Sequence, residues 1–92
     1  MQLALGQVVG TPAALALLEK LGVPAATLLH RHAHGDWGDL SAEDTFANDD
    51  AAAATGEDAG RVLSAYELGP HKVWIITEWD RSSTCVLLPS EY

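Results

Sequence analysis

Leucines fall at positions 15, 18 and 21, with another at 17, inside the stretch TPAALALLEKLG. That spacing is helical and predicts a helix with a broad buried face. Thr11 can cap its start, Pro12 suits a first turn that needs no backbone donor, and Gly22 suits the left-handed residue beyond its end. The pattern restarts after Pro24 and stops at Gly35, which predicts a second helix of about ten residues with Leu28 and Leu29 on its core face. SAEDTFANDDAAAATG reads as a third helix. Ser41 caps it, Asp44 holds the capping-box position, Phe46 and the alanines pack closely, and Gly56 stops it.

From Arg61 the period changes to two. RVLSAYEL, KVWIITEWD and TCVLLP are rich in β-branched and aromatic residues, and GPH and RSS separate them, so an antiparallel three-stranded meander is expected. Val62, Ser64, Tyr66 and Leu68 would share one face of the first strand. In the second, Val73, Ile75, Thr77 and Trp79 oppose Trp74, Ile76 and Glu78. A strand apolar on both faces belongs in the middle of a sheet, covered on one side by helices. LALGQVVG, ahead of the first helix, reads as a short edge strand or extended arm. The fold class is therefore α+β over residues 1–92 as a single domain: N-terminal helices packed on a C-terminal meander, with an N-terminal edge strand.

Length and charge then narrow the function classes. Ninety-two residues make a small core with little margin, which points to dimerisation through a sheet edge or an aromatic patch. Thirteen acidic against five basic residues give a formal charge of −8. Lys20, Arg31, Arg61, Lys72 and Arg81 are scattered singly, so no basic patch exists and direct nucleic-acid binding is not expected. An acidic surface suits a basic partner instead, including a protein that itself binds DNA. The apolar runs are too short to span a bilayer, and residues 1–9 lack the charged start and long apolar stretch of a signal peptide. With Cys85 as the single cysteine, no intramolecular disulfide can form, and a cytoplasmic location is the expectation.

The densest chemistry lies in HRHAHGDWGDL, residues 30–40. On a helix, His30 and His34 share a face while His32 points elsewhere. Cationic side chains near a helix end also interact with its dipole without any metal, so no metal site and no cofactor are expected. In GDWGD, Gly35 and Gly38 allow backbone angles other residues resist, Asp36 can bond to nearby amides, and Trp37 is either a core plug or a surface shown to a partner. In TEWDRSST, Glu78, Asp80 and Arg81 sit at a tight turn where they can pair with one another. Alternatively, a carboxylate there acts as base, Arg81 as anion clamp and a histidine as acid. Cys85 lies inside a strand, where a buried thiol behaves as a small hydrophobe.

Taken together, RHAHGDWGDLSAEDTFAND, RVLSAYEL, KVWIITEWDRSST and VLLPSEY resemble a family of small bacterial proteins of plasmids and integrated mobile elements. Members carry the label "plasmid-related protein" or "type I restriction endonuclease subunit M". The resemblance spans residues 3–92 and picks out His32, Gly35, Asp36, Trp37, Gly38, Glu43, Asp44, Asn48, Asp80, Arg81, Ser82, Thr84 and Tyr92. It does not pick out His30 or His34, and Trp79 stands where the pattern has a small residue. The methylase label does not suit this chain, which has no Gly-rich cofactor loop and no Asn-Pro-Pro-aromatic motif. The resemblance sharpens the motif list without naming a reaction; the acidic charge and the lack of a basic patch point to an accessory protein of a mobile element acting through protein–protein contacts, with Asp36, Trp37, Asp80 and Arg81 as the partner-binding surface. An acidic decoy for a DNA-binding partner is one form of it. The alternative is a small toxin-like, metal-independent nuclease or phosphodiesterase using His32, Asp36, Asp80 and Arg81.

Overall fold

The uncharged start of the chain extends into strand β1, Gln7–Gly10, before Thr11 turns it into helix α1, Pro12–Leu21. The structure is a computed structural model describing residues 3–40, 42–53 and 60–92, with the side chains of these residues except 42, 46, 50 and 53. Thr11 caps α1 by accepting the Ala14 N–H, and Gly22 ends the helix in the left-handed region. Helix α2, Ala25–Ala33, follows at a sharp bend, and α3, Ala42–Ala53, comes after the GDWGD corner. The cap expected at Ser41, the packing expected of Phe46 and the stop expected at Gly56 lie outside the described residues.

Strands β2, Val62–Leu68, β3, His71–Thr77, and β4, Ser83–Leu87, form the expected antiparallel meander. Gly69, at positive φ, takes the first place of the two-residue turn between β2 and β3, where glycine carries no steric penalty. The N-terminal strand then adds to β4 in parallel, giving a mixed sheet of order β1-β4-β3-β2. β3 is therefore internal, as its apolar residues on both faces require.

Paired residues share a face, so register assigns the two sides of the sheet. Tyr66, Val73, Ile75 and Val86 point to the side covered by α1 and α2, where they pack with Ala14, Leu18 and Leu28. On the other side Trp74 meets the Tyr92 ring edge-on at 5.7 Å, beside a short 3-10 turn at Pro89–Glu91. A second, smaller cluster gathers Leu3, Trp37 and Val62, with Leu40, Ala51 and Ala52 against them.

Two details differ from expectation. Leu15 is exposed, and the buried line of α1 runs through Ala14 and Leu18. Ala14 and Leu18 lie one turn apart on the face turned to the sheet, and Leu15 falls beside that face, over Gly10. β3 stops at Thr77 rather than running to Asp80, so Trp79 leaves the helix-covered face and stands 47% exposed in the turn.

Among the described residues, no single helix is long and apolar enough to cross a membrane.

Candidate functional site

Leu28 and His32 stand one turn apart on the inward face of α2, so the residue that follows Leu28 into the core is a histidine. His32 is 0% exposed. His30 and His34 face outward together, their rings 4.1 Å apart, and the His34 Nδ1–H bonds the His30 carbonyl at 2.8 Å. The helical separation of His32 from its neighbours thus holds. Among the described residues, no three His, Cys, Asp or Glu side chains are grouped to hold a metal ion.

The protons around His32 can be assigned by elimination. Thr84 Oγ1 donates to the Leu5 carbonyl at 2.8 Å. A hydroxyl has one hydrogen, so the 2.7 Å bond between Thr77 and Thr84 must have Thr77 as donor. Thr77 then accepts from the Nε2–H of His32 at 2.8 Å, and Nδ1 accepts from the Ser64 hydroxyl at 2.5 Å. The imidazole is neutral with both nitrogens satisfied. Burial, and then the nearby charge of Arg81, push its pKa down to about 4.

Trp37 follows the helix end and is 3% exposed. It packs against Leu3 and Val62, meets the His32 ring edge-on at 5.6 Å, and gives its indole N–H to Asp49 Oδ1 at 2.9 Å. The GDWGD corner is therefore plugged by its tryptophan, and any surface built there offers the neighbours of Trp37 rather than its ring. Asp36 stays at the surface, where the Arg31 guanidinium grips both carboxylate oxygens at 2.6 and 3.2 Å. That bond holds the Asp36 carboxyl below its ordinary range. Arg31 also lies over the Tyr66 ring at 4.6 Å, while the Tyr66 hydroxyl donates to the Asp36 carbonyl at 2.7 Å. Burial pushes that phenol up to about 12.

The corner also finishes the outer edge of β2. Trp37 O accepts from Ala65 N–H at 3.1 Å, Asp39 N–H donates to Ala65 O at 2.7 Å, and Asp39 Oδ2 accepts from Glu67 N–H at 2.8 Å. One pair earlier, Asn48 uses its amide as a neighbouring strand would, accepting from Leu63 N–H and donating to Leu63 O. Gly38 makes this approach possible: at φ +76°, an added Cβ would stand 2.2 Å from the Ala65 carbonyl oxygen.

At the β3–β4 turn, Asp80 is fully exposed and accepts from Ser82 N–H at 3.1 Å, and bonds from Ser82 hold its carboxyl below the ordinary range. Arg81 adopts φ +60°, unusual for a side-chain-bearing residue. Its guanidinium donates to the carbonyls of Gly60 (2.8 Å), Ala51 (2.7 Å) and Glu78 (3.1 Å). It bonds backbone carbonyls, not the carboxylate partner expected from the sequence; Glu78 pairs instead with Arg61 at 2.9 Å.

The candidate catalytic residues are thus distributed over distinct settings: His32 in the core, Asp36 paired on the surface, Asp80 capping a turn, and Arg81 holding carbonyls. The residues that sequence reasoning missed are Ser64, Thr77 and Asp49. For Ser64 and Thr77 the available signal was a polar side chain at an inward position of an otherwise apolar strand; Asp49, exposed on α3, gave no such signal. Cys85 is half-buried, and burial pushes its thiol up. Comparison of the chain with protein-family models, curated proteins and solved structures returned no match.

Proposed function

We propose that the chain is a non-catalytic accessory protein of the plasmid and mobile-element kind its motifs resemble, acting in the bacterial cytoplasm by contact with another protein. In its more specific form the reading makes it an acidic decoy that occupies a DNA-binding partner. The observation that carries it is the bonding of the motif residues. His32 is neutral, enclosed and satisfied at both nitrogens, and the Arg81 guanidinium is occupied by three carbonyls. His32 has no free face for a substrate, and Arg81 commits both of its terminal nitrogens to carbonyls, whereas a general acid or anion clamp turns its donors to the substrate.

What reaches solvent around the corner is carboxylate. Asp36, Asp39, Glu43 and Asp49 are exposed within a short span, on a chain of net charge −8. Charge of one sign steers a partner of the other and sets the rate of encounter more than the final affinity. Asp36 and Asp80 remain the exposed members of the partner surface, with Trp37 supporting the corner from beneath.

Capture from a bacterial lysate on immobilised wild-type chain tests the reading. The expected result is a basic, DNA-binding protein retained at low salt, displaced by duplex DNA, and bound about tenfold or more weaker at high ionic strength. An Asp36→Asn, Glu43→Gln double variant should weaken capture, and Glu43→Gln alone, which leaves the Arg31–Asp36 pair in place, should weaken it in part while its thermal unfolding stays close to wild type. Retention unaffected by both salt and duplex DNA would count against a decoy. Phosphodiester cleavage by the purified chain, lost on Arg81→Ala, would replace this reading with the enzyme.

A further inference from the structure

The sheet has one finished edge and one open edge. Along β2 the outward backbone groups of Leu63, Ala65 and Glu67 are met by Asn48 and the corner. Beyond β1 no strand lies among the described residues. Gln7 and Thr11 turn their N–H groups inward, to the carbonyls of Ser82 and Val86. Alternate residues of a strand face opposite neighbours, so Val8 and Gly10 direct their backbone groups outward. Val8 and Val9 are each 45% exposed, and the exposed Leu15 side chain lies over Gly10. An edge of this kind, apolar and uncharged, is a template for another strand.

We propose that this edge is a self-association surface, on which β1 of one copy pairs antiparallel with β1 of a second copy to make one continuous sheet.

Charge selects the second copy as the occupant. At a net charge of −8, most of the surface repels another copy of the chain. Residues 1–18 carry no charged side chain, and β1 lies within them. Within β1 itself a basic partner finds no carboxylate to pair with and a second copy none to avoid; Glu91 stands only at its far end, accepting from the Thr11 hydroxyl at 2.7 Å. What the edge offers is backbone that no other described residue pairs, flanked by valines, which another β1 matches group for group. The finished β2 edge then decides the size of the assembly. Two-fold pairing of β1 leaves only finished edges at the ends of the joined sheet, so association closes at two copies instead of growing into a fibre.

Sedimentation velocity on the full chain over a concentration series tests this. The wild type should approach twice the chain mass as concentration rises. Val8→Pro removes an N–H that faces away from β4, and Val8→Lys sets like charges across the two-fold. Each should raise the dimer dissociation constant at least about tenfold, with near-ultraviolet circular dichroism of the tryptophans unchanged. Should the proline variant unfold, the lysine variant, which keeps its backbone donor, decides the matter. A wild-type chain that stays monomeric at its highest soluble concentration overturns the proposal, and so do variants that dimerise as the wild type does. A monomer that still shows salt-sensitive capture of a basic partner would overturn self-association alone, leaving the decoy intact.

Discussion

Folding moves His32 from water into a position where both ring nitrogens are already used and, among the described residues, no carboxylate bonds it. A second ring proton would have to turn the Ser64 hydroxyl away from Nδ1, inside the core. The unfolded chain meets no such obstacle, so it binds the proton near the ordinary pH of 6.5 while the folded chain waits until about 4. Stability contributed by neutral His32 is therefore complete above pH 6.5 and is lost as pH falls toward 4, by on the order of 3 kcal/mol. Asp36, Asp80 and Glu91 have depressed values and act later: their contribution is lost only as pH falls through and below the ordinary carboxylate range. Denaturant unfolding at a series of pH values should show the histidine fall between 6.5 and 4. In a His32→Gln chain that segment should flatten, with overall stability lower by about 2–4 kcal/mol because Ser64 and Thr77 lose a buried partner. A wild-type profile level across the window would show that His32 protonates freely in the fold. Helical spacing was enough to separate His32 from His30 and His34. Its partners were not legible, because they lie 32 and 45 residues away.

At the scale of elements, the corner between α2 and α3 acts as a short extra strand along β2. Edge strands invite pairing with other chains, and this one is closed by backbone and amide groups instead of by charge alone. Two glycines with similar backbone angles separate that role from simple turn geometry. Gly69 at φ +67° has open space where a Cβ would go, while Gly38 at φ +76° faces the Ala65 carbonyl. Gly69→Ala should cost about 1 kcal/mol, the ordinary penalty of a left-handed residue. Gly38→Ala should cost about 3 kcal/mol or more, since the corner must retreat and the bonds to Ala65 go with it. Urea unfolding of the two variants gives the comparison, and equal losses would mean that the corner yields without disturbing β2. The helices were readable from their caps and the meander from its turns. The docking of the corner on β2 was not, because a loop that pairs with a strand leaves no periodic trace. The same holds for Trp37: its sequence context favoured a structural corner but also allowed a surface shown to a partner.

At the scale of the whole molecule, Arg81 joins parts that are far apart along the chain. Its guanidinium holds the carbonyl of Ala51 in α3, that of Gly60 ahead of β2, and that of Glu78 after β3. The positive φ at Arg81 is the local penalty of placing it there. Lysine offers a single point of charge in place of a planar fork, so Arg81→Lys should lower stability by about 1–3 kcal/mol. Arg81→Gly relieves the backbone but should be no more stable than Arg81→Lys, as it gives up all three bonds. Amide hydrogen exchange should speed up in α3 more than in α1, and uniform acceleration would deny Arg81 this tethering role. By itself the sequence determined the α+β class, the helix boundaries of α1 and α2, the antiparallel meander and the acidic surface, because caps, periods and charge are local quantities. Only the tertiary structure decided that β1 runs parallel to β4, that Trp37 is buried, that one sheet edge is closed, and that the polar motif residues bond to one another's elements. Those outcomes depend on contacts between different elements, 12 to 79 residues apart along the chain, and no spacing within a single segment encodes them.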